Sequence, residues 1–539
     1  MTSIIETDVL IIGAGPAGLM AANELQKRNV DFVCLEKRPG PTRLSKALGI
    51  QARTLELLEF LGIHKQFLKE GYPGPGAKLH LAGEKPSYVE LFHIKSRYPY
   101  LFILPQNEIE ALFIEHLEKS GGSIQMEHEV VDMSQSRDGI LVTVSHNGVH
   151  KKYAAKYALA CDGAHSRVRD LLGIDFVGED EGYTFFTADV EIPGLNEIYI
   201  NMHLNDRGAV AVFPYKDGSY RVVGMDRAKQ GLPYKKELKL EELQESLDRI
   251  LEVPYRVEKP RYLSSFGTAH RQVRRYRIGN VFFLGDAAHI NNPLGGQGMN
   301  LGLEDASNLC WKIDTVLRGL ADESFLDSYN EERYPIAQGV IRDTTRELKA
   351  IDLKGPVGKV RNWSGKAALS QSWVQPRIAN YLSHIHHEYH KVKRNKLMKN
   401  TALSRKAVQP GQRVPDQTLF FEGKSSARLY QFIHKHNFVC LIYIDCYDEK
   451  LIHYAHSLSK LFSEFYPDLI KVFLVARGGT VQIEEDRLPI IYDVHRNIER
   501  NLGMERGNAL LIRPDGHVAF HDHSQDAEKS LEMLETFLS

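Results

Sequence analysis

Cysteine is scarce in this sequence, and its spacing suits neither a metal site nor a disulfide framework. The 539 residues include five cysteines, at positions 34, 161, 310, 440 and 446. Thiolate metal sites and redox dithiols usually place two cysteines only a few residues apart. The pattern therefore argues against both and indicates a reducing compartment, which predicts a cytoplasmic location.

A long hydrophobic run and an excess of charge of one sign are also missing. The apolar segment Asp8-Val-Leu-Ile-Ile12 is too short for a signal peptide, and no stretch is long enough to span a bilayer. The formal net charge of -1 provides no electrostatic steering toward nucleic acid. We therefore expect no membrane span and no nucleic-acid partner, and the length predicts two or three domains.

What the sequence does contain is a dinucleotide-binding pattern near its start. A predicted strand (8–12) leads into Gly13-Ala-Gly15-Pro16-Ala17-Gly18, then a predicted helix (19–28) and a strand (31–35) that ends at Glu36. In this order Gly13 permits a tight turn, Gly15 lets the backbone approach a pyrophosphate, and Glu36 accepts hydrogen bonds from a ribose. A chance glycine turn is the alternative, but it does not explain an acid at this spacing.

A basic cluster follows Glu36 and consists of Lys37, Arg38, Arg43 and Lys46. These side chains are suited to a pyrophosphate, but a solvated turn around Pro39-Gly40-Pro41 explains them equally well. Both interpretations stay open.

Two further motifs come later in the chain. A predicted strand ends at Asp162-Gly163, a turn that is compatible with phosphate or ribose but is common in ordinary loops. Another buried strand (280–284) leads to Gly285-Asp286 and the glycine-rich run Pro293-Leu-Gly-Gly-Gln-Gly-Met-Asn300, which opens an amphipathic helix. Backbone amides at such a helix start favour an electron-rich or anionic ligand.

With these three motifs in this order, the sequence resembles the single-component FAD-dependent aromatic hydroxylases, which share the para-hydroxybenzoate hydroxylase fold. It is more similar to the phenol, 3-(3-hydroxyphenyl)propionate and polyketide hydroxylase branch than to para-hydroxybenzoate hydroxylase itself, and the likeness runs from residue 5 to residue 345. The resemblance implies non-covalent FAD, NADPH or NADH as co-substrate, and a flavin C4a-hydroperoxide that hydroxylates an electron-rich ring. It requires no protein nucleophile, and no catalytic residue is nominated.

The resemblance also implies roles for individual residues. Asp286 would bind the FAD ribityl or ribose region, Pro293 would lie beside the reactive face of the flavin, and Gln106 would lie near the FAD phosphates. The Asp162-Gly163 turn would serve both FAD and the reduced nicotinamide. The implied cofactor contacts are Gly13, Gly15, Pro16, Ala17, Gly18, Glu36, Lys37, Arg38, Lys46, Gln106, Asp162, Gly163, Asp286, Pro293, Gly296, Gly298, Met299 and Asn300.

Two departures from the family pattern bear on the substrate and on flavin movement. The family often has arginine before Ala47, where this chain has Lys46, and a lysine supplies charge without the bidentate fork of an arginine. The run Val212-Phe213-Pro214 is apolar where para-hydroxybenzoate hydroxylase would offer an arginine to the substrate carboxylate. We therefore nominate these three residues as substrate contacts and expect a phenolic or polyketide-like aromatic compound.

Changes of hydrophobic period divide the predicted α/β chain into segments. A Rossmann-like FAD-binding domain takes 1–175 and 276–345, with an excursion into the substrate domain over about 76–104, and a β-rich substrate domain is inserted at 176–275. A helical connector (346–408) contains four histidines between 384 and 390, for which no carboxylate or cysteine completes a metal set, so no metal is predicted. Residues 409–539 resemble the thioredoxin-like domain of the same branch but lack C-x-x-C, and a homodimer is left open.

Other protein classes fit less well. A flavin disulfide reductase needs a second G-x-G-x-x-G and a redox cysteine pair, and a flavin halogenase usually shows W-x-W-x-I-P; neither is present. A non-catalytic FAD-binding interaction protein remains an alternative. A related oxidoreductase that oxidises or inactivates an aromatic natural product or antibiotic without ring hydroxylation is the stronger rival, because function belongs to the site rather than the fold.

Overall fold

The computed structural model describes residues 4–42, 45–81, 85–231, 237–389, 407–421, 426–435, 437–478 and 488–539. Arg43 of the basic cluster, His390 and most of the predicted connector's C-terminal part lie outside these residues. The chain forms two compact units: Met1–Leu55, Lys65–Ala306 and Tyr334–His384 make the first, and Glu56–His64, Ser307–Arg333 and Ile385–Ser539 make the second. The five-segment domain division stays a prediction.

The strands of the first unit, β1 to β19, are Ile4–Ile12, Phe32–Leu35, Gly49–Ile50, Tyr72–Gly74, Gly76–Leu81, Ser87–Glu90, Leu101–Ile103, Ile124–Gln125, Glu129–Gln135, Ile140–His146, Val149–Ala160, Phe176–Glu191, Ile200–Asn205, Gly208–Pro214, Tyr220–Asp226, Glu258–Val273, Arg277–Ile278, Val281–Phe283 and His289–Ile290. The helices up to residue 382, α1 to α10, are Pro16–Lys27, Ala52–Leu61, His64–Glu70, Gln106–Lys119, Arg167–Leu171, Leu240–Ile250, Gln297–Leu317, Asp327–Asp352, Gly355–Leu369 and Val374–Leu382.

The first sheet contains the predicted dinucleotide fold. Its parallel strands run in the order β18-β11-β1-β2-β8, with Ile12 opposite Ala160 in the register of β1 and β11. Both faces of a parallel sheet are covered, which explains why the end of β1 is an uninterrupted apolar run. Because parallel strands end at one edge of the sheet, Gly13, Asp162 and Gly285 emerge close together.

The second sheet runs in the order β19-β16-β12-β15-β14-β13-β5-β6. Its strands β5 and β6 come from early in the chain, and β5 pairs in parallel with β13. Helix α6 covers one face of the sheet, where Leu243 and Leu247 pack with Val210 and Val212. Phe213 lies on the opposite face, which we call the inner face of the second sheet, since alternate residues of a strand point to opposite sides.

The second unit has a sheet of its own. Its strands, β20 to β26, are Thr418–Phe420, Ser426–Arg428, Phe438–Ile444, Ile470–Arg477, Ile490–Asp493, Ala509–Ile512 and Val518–Asp522, and its later helices, α11 to α13, are Leu429–Lys435, Glu449–Phe465 and Ala527–Leu538. The strand order is β21-β20-β24-β23-β22-β25-β26, with β22, β23 and β24 parallel. The thioredoxin-like assignment of this region stays a prediction.

A buried cluster of charges lies within the second unit. Arg513 pairs with Glu332 at 2.7 Å and with Asp515 at 2.6 Å, and Lys312 pairs with Glu332 at 2.7 Å. The Arg513 guanidinium also lies 5.1 Å from the ring centroid of buried Trp311. Each charge therefore has an opposite partner, which offsets the cost of removing it from water.

The strands and helices predicted around the first glycine motif and the late glycine-rich run agree with the structure to within a few residues. Gly49–Ile50 pairs with β7 as a short strand, so α2 begins only at Ala52. Among the described residues, no helix combines the length and the apolar character that a membrane crossing needs.

Candidate active site

The glycine loop after β1 is shaped by three different constraints. Gly13 has a φ of +101°, and a Cβ there would lie 2.5 Å from the Cys161 carbonyl oxygen. A Cβ on Gly18 would lie 1.9 Å from the Gly13 carbonyl oxygen, so no side chain fits. Gly15 differs, because a Cβ there would have nothing within 4 Å. The open space at Gly15 adjoins the N-terminus of α1 at Pro16, where backbone amides favour an anionic group.

Glu36 is fixed directly beside this loop. Its carboxylate accepts hydrogen bonds from the Ala14 amide at 2.8 Å and the Arg38 amide at 2.9 Å. Burial opposes ionisation, but the hydrogen bonds from Arg38 and Ala14 outweigh it and lower the pKa of Glu36. Arg38 is itself held, because its guanidinium also contacts Glu110 at 3.4 Å and the Ala14 carbonyl at 3.0 Å.

Gln106 connects α4 to the segment that contains Lys46. Its side-chain oxygen accepts from the Ala47 amide at 3.1 Å, and its side-chain nitrogen donates to Glu110 at 2.9 Å. Lys37 and Lys46 are both exposed. The structure therefore places Gln106 as the support of this segment and leaves the two lysines at the surface.

The Asp162-Gly163 turn lies against the glycine loop through the Cys161 carbonyl contact of Gly13. Asp162 Oδ2 accepts a hydrogen bond from the Val168 amide at 3.0 Å, and Ser166 and the Arg167 amide also stabilise the charged carboxylate. Its Oδ1 atom is buried and has no partner in the described structure. Burial raises the pKa of Asp162. A buried acceptor without a donor is costly, so this atom marks a place where a ligand hydroxyl or a water would be stabilised.

The Gly285-Asp286 loop is fixed by hydrogen bonds to Asp305. This buried carboxylate accepts from the Gly285 amide at 3.1 Å and contacts His289 Nε2 at 2.7 Å. Asp286 itself is exposed. The surrounding protein still reduces its hydration and raises the pKa of Asp286, while His289 and Lys46 act in the opposite direction. Asp286 and Lys46, which are distant in sequence, are therefore electrostatic neighbours.

The run from Pro293 to Asn300 is tied to β3 and α2. The Asn300 side chain donates to the carbonyls of Gly49 at 2.9 Å and Gly296 at 2.8 Å, and it accepts from the Gln51 amide at 3.0 Å and the Thr54 hydroxyl at 2.7 Å. All of its hydrogen-bonding capacity is used within the protein. Gly298 and Met299 are partly exposed at the start of α7. The Asn300 side chain thus fixes a loop in which Gly295 and Gly296 are exposed.

A buried carboxylate on β12 positions the other end of this loop. Glu181 Oε1 accepts from Asn292 Nδ2 at 3.2 Å and from the Thr345 hydroxyl at 2.9 Å. The Asn292 side chain in turn accepts from the Leu294 amide at 3.2 Å. Leu294 packs between the inner face of the second sheet and α8, in a cluster with Phe185, Met225, Tyr183, Val223 and Phe266 of the sheet and Leu348 and Ile351 of the helix.

The three residues nominated as substrate contacts are not on one face of the sheet. Phe213 packs on the inner face near Leu48, Ile103 and Ile200, whereas Val212 lies in the core under α6. Pro214 is buried on the strand position that alternates with Phe213.

An arginine does lie beside this segment, but it is already engaged. Arg221, paired with Phe213 on the next strand, donates to Asp189 at 2.8 Å, to the Ser45 hydroxyl and to the Lys46 carbonyl. It is fully buried. It therefore supports the segment 45–46 rather than offering a clamp for a carboxylate.

Comparison with known proteins identifies the family of the chain. Residues 6–344 match the family described as "FAD binding domain". The chain is 32% identical over 435 residues to the "Uncharacterized aromatic compound monooxygenase YhjG" of Bacillus subtilis (strain 168), covering 80% of this chain and 85% of that protein. It is 30% identical to a "Rifampicin monooxygenase" of Rhodococcus hoagii, with 96% of each chain covered. Among solved structures, the OxyS anhydrotetracycline hydroxylase from Streptomyces rimosus has a TM-score of 0.77 and 29% identity, with 99% of each chain covered.

The chain therefore belongs to the FAD-binding domain family, and its fold is the α/β fold of the FAD-dependent aromatic hydroxylases. Within that family it is an FAD-dependent monooxygenase, as the resemblance in sequence predicted.

Several supporting residues were not found from the sequence. The Gln106–Glu110 contact has a signal, since residues four apart on a helix are neighbours. Glu181, Asp189 and Arg221 have none, because their partners are distant in the chain.

Proposed function

We propose that this monooxygenase uses NADPH or NADH and O2 to hydroxylate a bulky, mainly apolar phenol or polyketide-like aromatic compound. One observation carries the proposal: Leu294, next to Pro293 in the glycine-rich loop, packs directly on the apolar inner face of the second sheet. The loop that the family places at the flavin is therefore adjacent to the face to which we assign the aromatic substrate, although Leu348 and Ile351 of α8 complete the cluster at Leu294 itself.

The residues around the glycine loop are suited to hold FAD. The open space at Gly15 and the start of α1 would take the pyrophosphate, and Glu36 would accept from the adenosine ribose. The unpartnered Oδ1 of Asp162 and the exposed carboxylate of Asp286 would accept further cofactor hydroxyls. When bound, FAD supplies the transfer of electrons from NAD(P)H and the activation of O2.

The glycine-rich loop would support the flavin ring itself. Pro293 would lie beside the reactive face, and the amides of Gly296, Gly298, Met299 and Asn300 would stabilise negative charge at the N1/C2=O edge, because they lie at the N-terminus of α7. The Asn300 side chain and the Glu181–Asn292 contact hold this loop from both sides. The protein thus contributes position and charge stabilisation rather than a nucleophile.

The basic residues divide into two groups. Arg38 is held by Glu36 and Glu110, so it would act by fixing Glu36. Lys37 and Lys46 are exposed and would meet phosphate groups of FAD or of NAD(P)H. The nearness of Lys46 to Asp286 favours Lys46 for the position at the cofactor.

The inner face of the second sheet favours an apolar substrate. Tyr183, Phe185, Val223 and Phe266 surround Leu294, and Phe213 continues the face. Covering such side chains is worth about 25 cal/mol for each Å² removed from water, so a large aromatic compound gains more than a small benzoate. Of the three nominated residues, we retain Phe213 as the contact on this face.

The test is stopped-flow reduction of the bound flavin with and without candidate aromatic compounds, followed by reoxidation in labelled dioxygen. One labelled oxygen atom should appear in the product of a true substrate. Phe213→Ala should raise KM for that substrate, whereas Phe92→Ala, at an exposed aromatic residue, should not.

A second candidate function is oxidation or inactivation of an aromatic antibiotic without ring hydroxylation. The antibiotic substrate in this alternative is supported by the relative named "Rifampicin monooxygenase", which matches over nearly the whole chain. If every compound that stimulates NAD(P)H oxidation leaves the label in peroxide or water only, hydroxylation is refuted in favour of this alternative.

A cytoplasmic location and a homodimer are further proposals. Sedimentation velocity tests whether the protein is a dimer.

A further inference from the structure

Helix α9 is oriented with its apolar side toward solvent. Val357, Val360 and Trp363 recur every third residue on one side of the helix and are 58%, 63% and 72% exposed. Gly358, on the other side, is buried against the Leu353 carbonyl. A surface helix normally directs its apolar stripe to the core, so this arrangement requires an explanation.

All the charged side chains in the sequence around this stripe are basic. Between residues 353 and 384 there is no aspartate or glutamate, and the charged side chains are Lys354, Lys359, Arg361, Lys366 and Arg377. Lys359 and Lys366 are exposed, as the stripe is. The segment therefore combines exposed apolar side chains with positive charge only, while Asp206, which precedes β14, lies beside Gly358 on the other side of the helix.

A second exposed aromatic residue extends this surface at the start of α10. Trp373 is 58% exposed, and the Arg377 guanidinium lies 4.6 Å from its ring centroid. Tryptophan beside arginine or lysine is typical of the boundary between a bilayer and water, because each has an apolar body and a polar end. We call α9 together with Trp373 and Arg377 the α9 surface.

We propose that the α9 surface binds reversibly to a membrane rich in anionic lipid. Val357, Val360 and Trp363 enter the boundary between headgroups and acyl chains, and the lysines lie among the lipid phosphates. This association is at the surface only and is independent of the proposed function. It would also bring an enzyme for apolar aromatic compounds close to the phase in which such compounds dissolve.

A second copy of this chain is a poorer occupant of the same surface. A two-fold interface places one patch against itself. Lysine and arginine would then face lysine and arginine with no acid in the segment to pair with them, which is unfavourable. An anionic lipid surface complements both the charge and the apolar stripe.

The experiment uses the FAD-loaded enzyme with large unilamellar vesicles, one set of phosphatidylcholine alone and one of phosphatidylcholine with phosphatidylglycerol. Co-sedimentation measures binding, and tryptophan emission reports the contact, since Trp311 is buried and the other two tryptophans belong to the α9 surface. We expect binding to the anionic vesicles, a blue shift of the emission, and release by salt.

Two double variants separate the apolar and the ionic contributions. Val360→Ser with Trp363→Ser should abolish the blue shift and the binding. Lys359→Glu with Lys366→Glu should lower the partition coefficient at least about 25-fold, since each lysine near an anionic surface contributes about fivefold. Lys65→Glu with Lys69→Glu is the matched control on exposed α3 and should bind as the unaltered enzyme does.

Three results would overturn the proposal. They are no binding to anionic vesicles, equal loss of binding in the control variant, and a dimer in sedimentation velocity that Trp363→Ser dissociates without any vesicle binding. The last result would assign the surface to a second copy. FAD content and melting temperature should be unchanged in all variants, because these side chains are exposed.

Discussion

Replacing Gly15 with valine tests the cofactor site with little disturbance of the fold. A Cβ at Gly15 has nothing within 4 Å, and its backbone, at φ −79° and ψ −176°, is open to any residue. The added side chain would enter the space that we assign to the FAD pyrophosphate. We expect Gly15→Val to fold and to purify without FAD.

The magnitude follows from the contacts that a displaced pyrophosphate loses. A hydrogen bond from a backbone amide to a charged group contributes about 1.5–3 kcal/mol, or roughly a ten- to hundredfold change in Kd. Loss of two such bonds should raise the Kd for FAD at least about 100-fold. The expected cost in protein stability is smaller, about 1 kcal/mol, because valine is a poorer N-cap than glycine at the start of α1.

The assay is titration of the apoprotein with FAD, together with a thermal melt of the apoprotein. Gly339→Val is the matched control, because Gly339 also has open space around it but lies on α8, away from the glycine loop. Gly18→Ala should instead fail to fold, since its Cβ would lie 1.9 Å from the Gly13 carbonyl oxygen. Folded Gly15→Val that retains full FAD would refute the assignment of the pyrophosphate, and a Gly15→Val protein that does not fold would refute the reasoning about open space.

Three further predictions concern charge and thiols. Asp286→Ala should weaken FAD binding about ten- to a hundredfold, because a cofactor hydroxyl loses a charged acceptor; an unchanged Kd on titration would remove Asp286 from the site. Cys440→Ala with Cys446→Ser should leave turnover intact, because burial raises the pKa of the Cys440 thiol and suppresses its thiolate; lost activity with normal FAD content and melting temperature would establish a redox role. Burial opposes ionisation of Glu332, but Arg513 and Lys312 outweigh it and lower its pKa from 4.5 to about 2. Its stabilising effect is therefore complete above pH 4.5 and is lost as the pH falls toward 2. Glu332→Gln should lower the free energy of unfolding by about 3–5 kcal/mol at neutral pH, since it leaves Arg513 incompletely paired. Chemical denaturation at neutral and at acidic pH measures this loss, which should be smaller at acidic pH. An equal loss of unfolding free energy at neutral and acidic pH would contradict this account.

The cofactor half of the candidate site could be predicted from the sequence because its signals are local. Three local requirements explain the glycines within six residues of chain. Gly13 adopts a positive φ, Gly15 leaves open space for a ligand, and Gly18 lies too close to the Gly13 carbonyl for any side chain. Glu36 and Gly285 follow strands whose apolar runs mark them as buried. Parallel strands end at one edge, so the sequence alone determined that these motifs would meet.

The substrate half was decided only by the tertiary structure. Val212 and Phe213 are equally apolar neighbours, and only the position of α6 shows that Val212 belongs to the core and Phe213 to the inner face. Arg221 could have been a free clamp for a carboxylate, but Asp189, from another strand, engages it.

The same holds for the contacts that position the loops. Glu181 and Asn292 are separated by 111 residues, and no spacing rule connects them. Arg513 and its partner Asp515 are two residues apart, but no spacing rule connects Arg513 to its other partner, Glu332 of α8. Local spacing records what one turn or helix requires, whereas a buried charge is satisfied by whichever distant residue the fold brings to it. That is why local patterns in the sequence indicated a dinucleotide site and the resemblance implied the reaction class, whereas only the folded chain decided which side chains lie on the inner face of the second sheet and which support the loops.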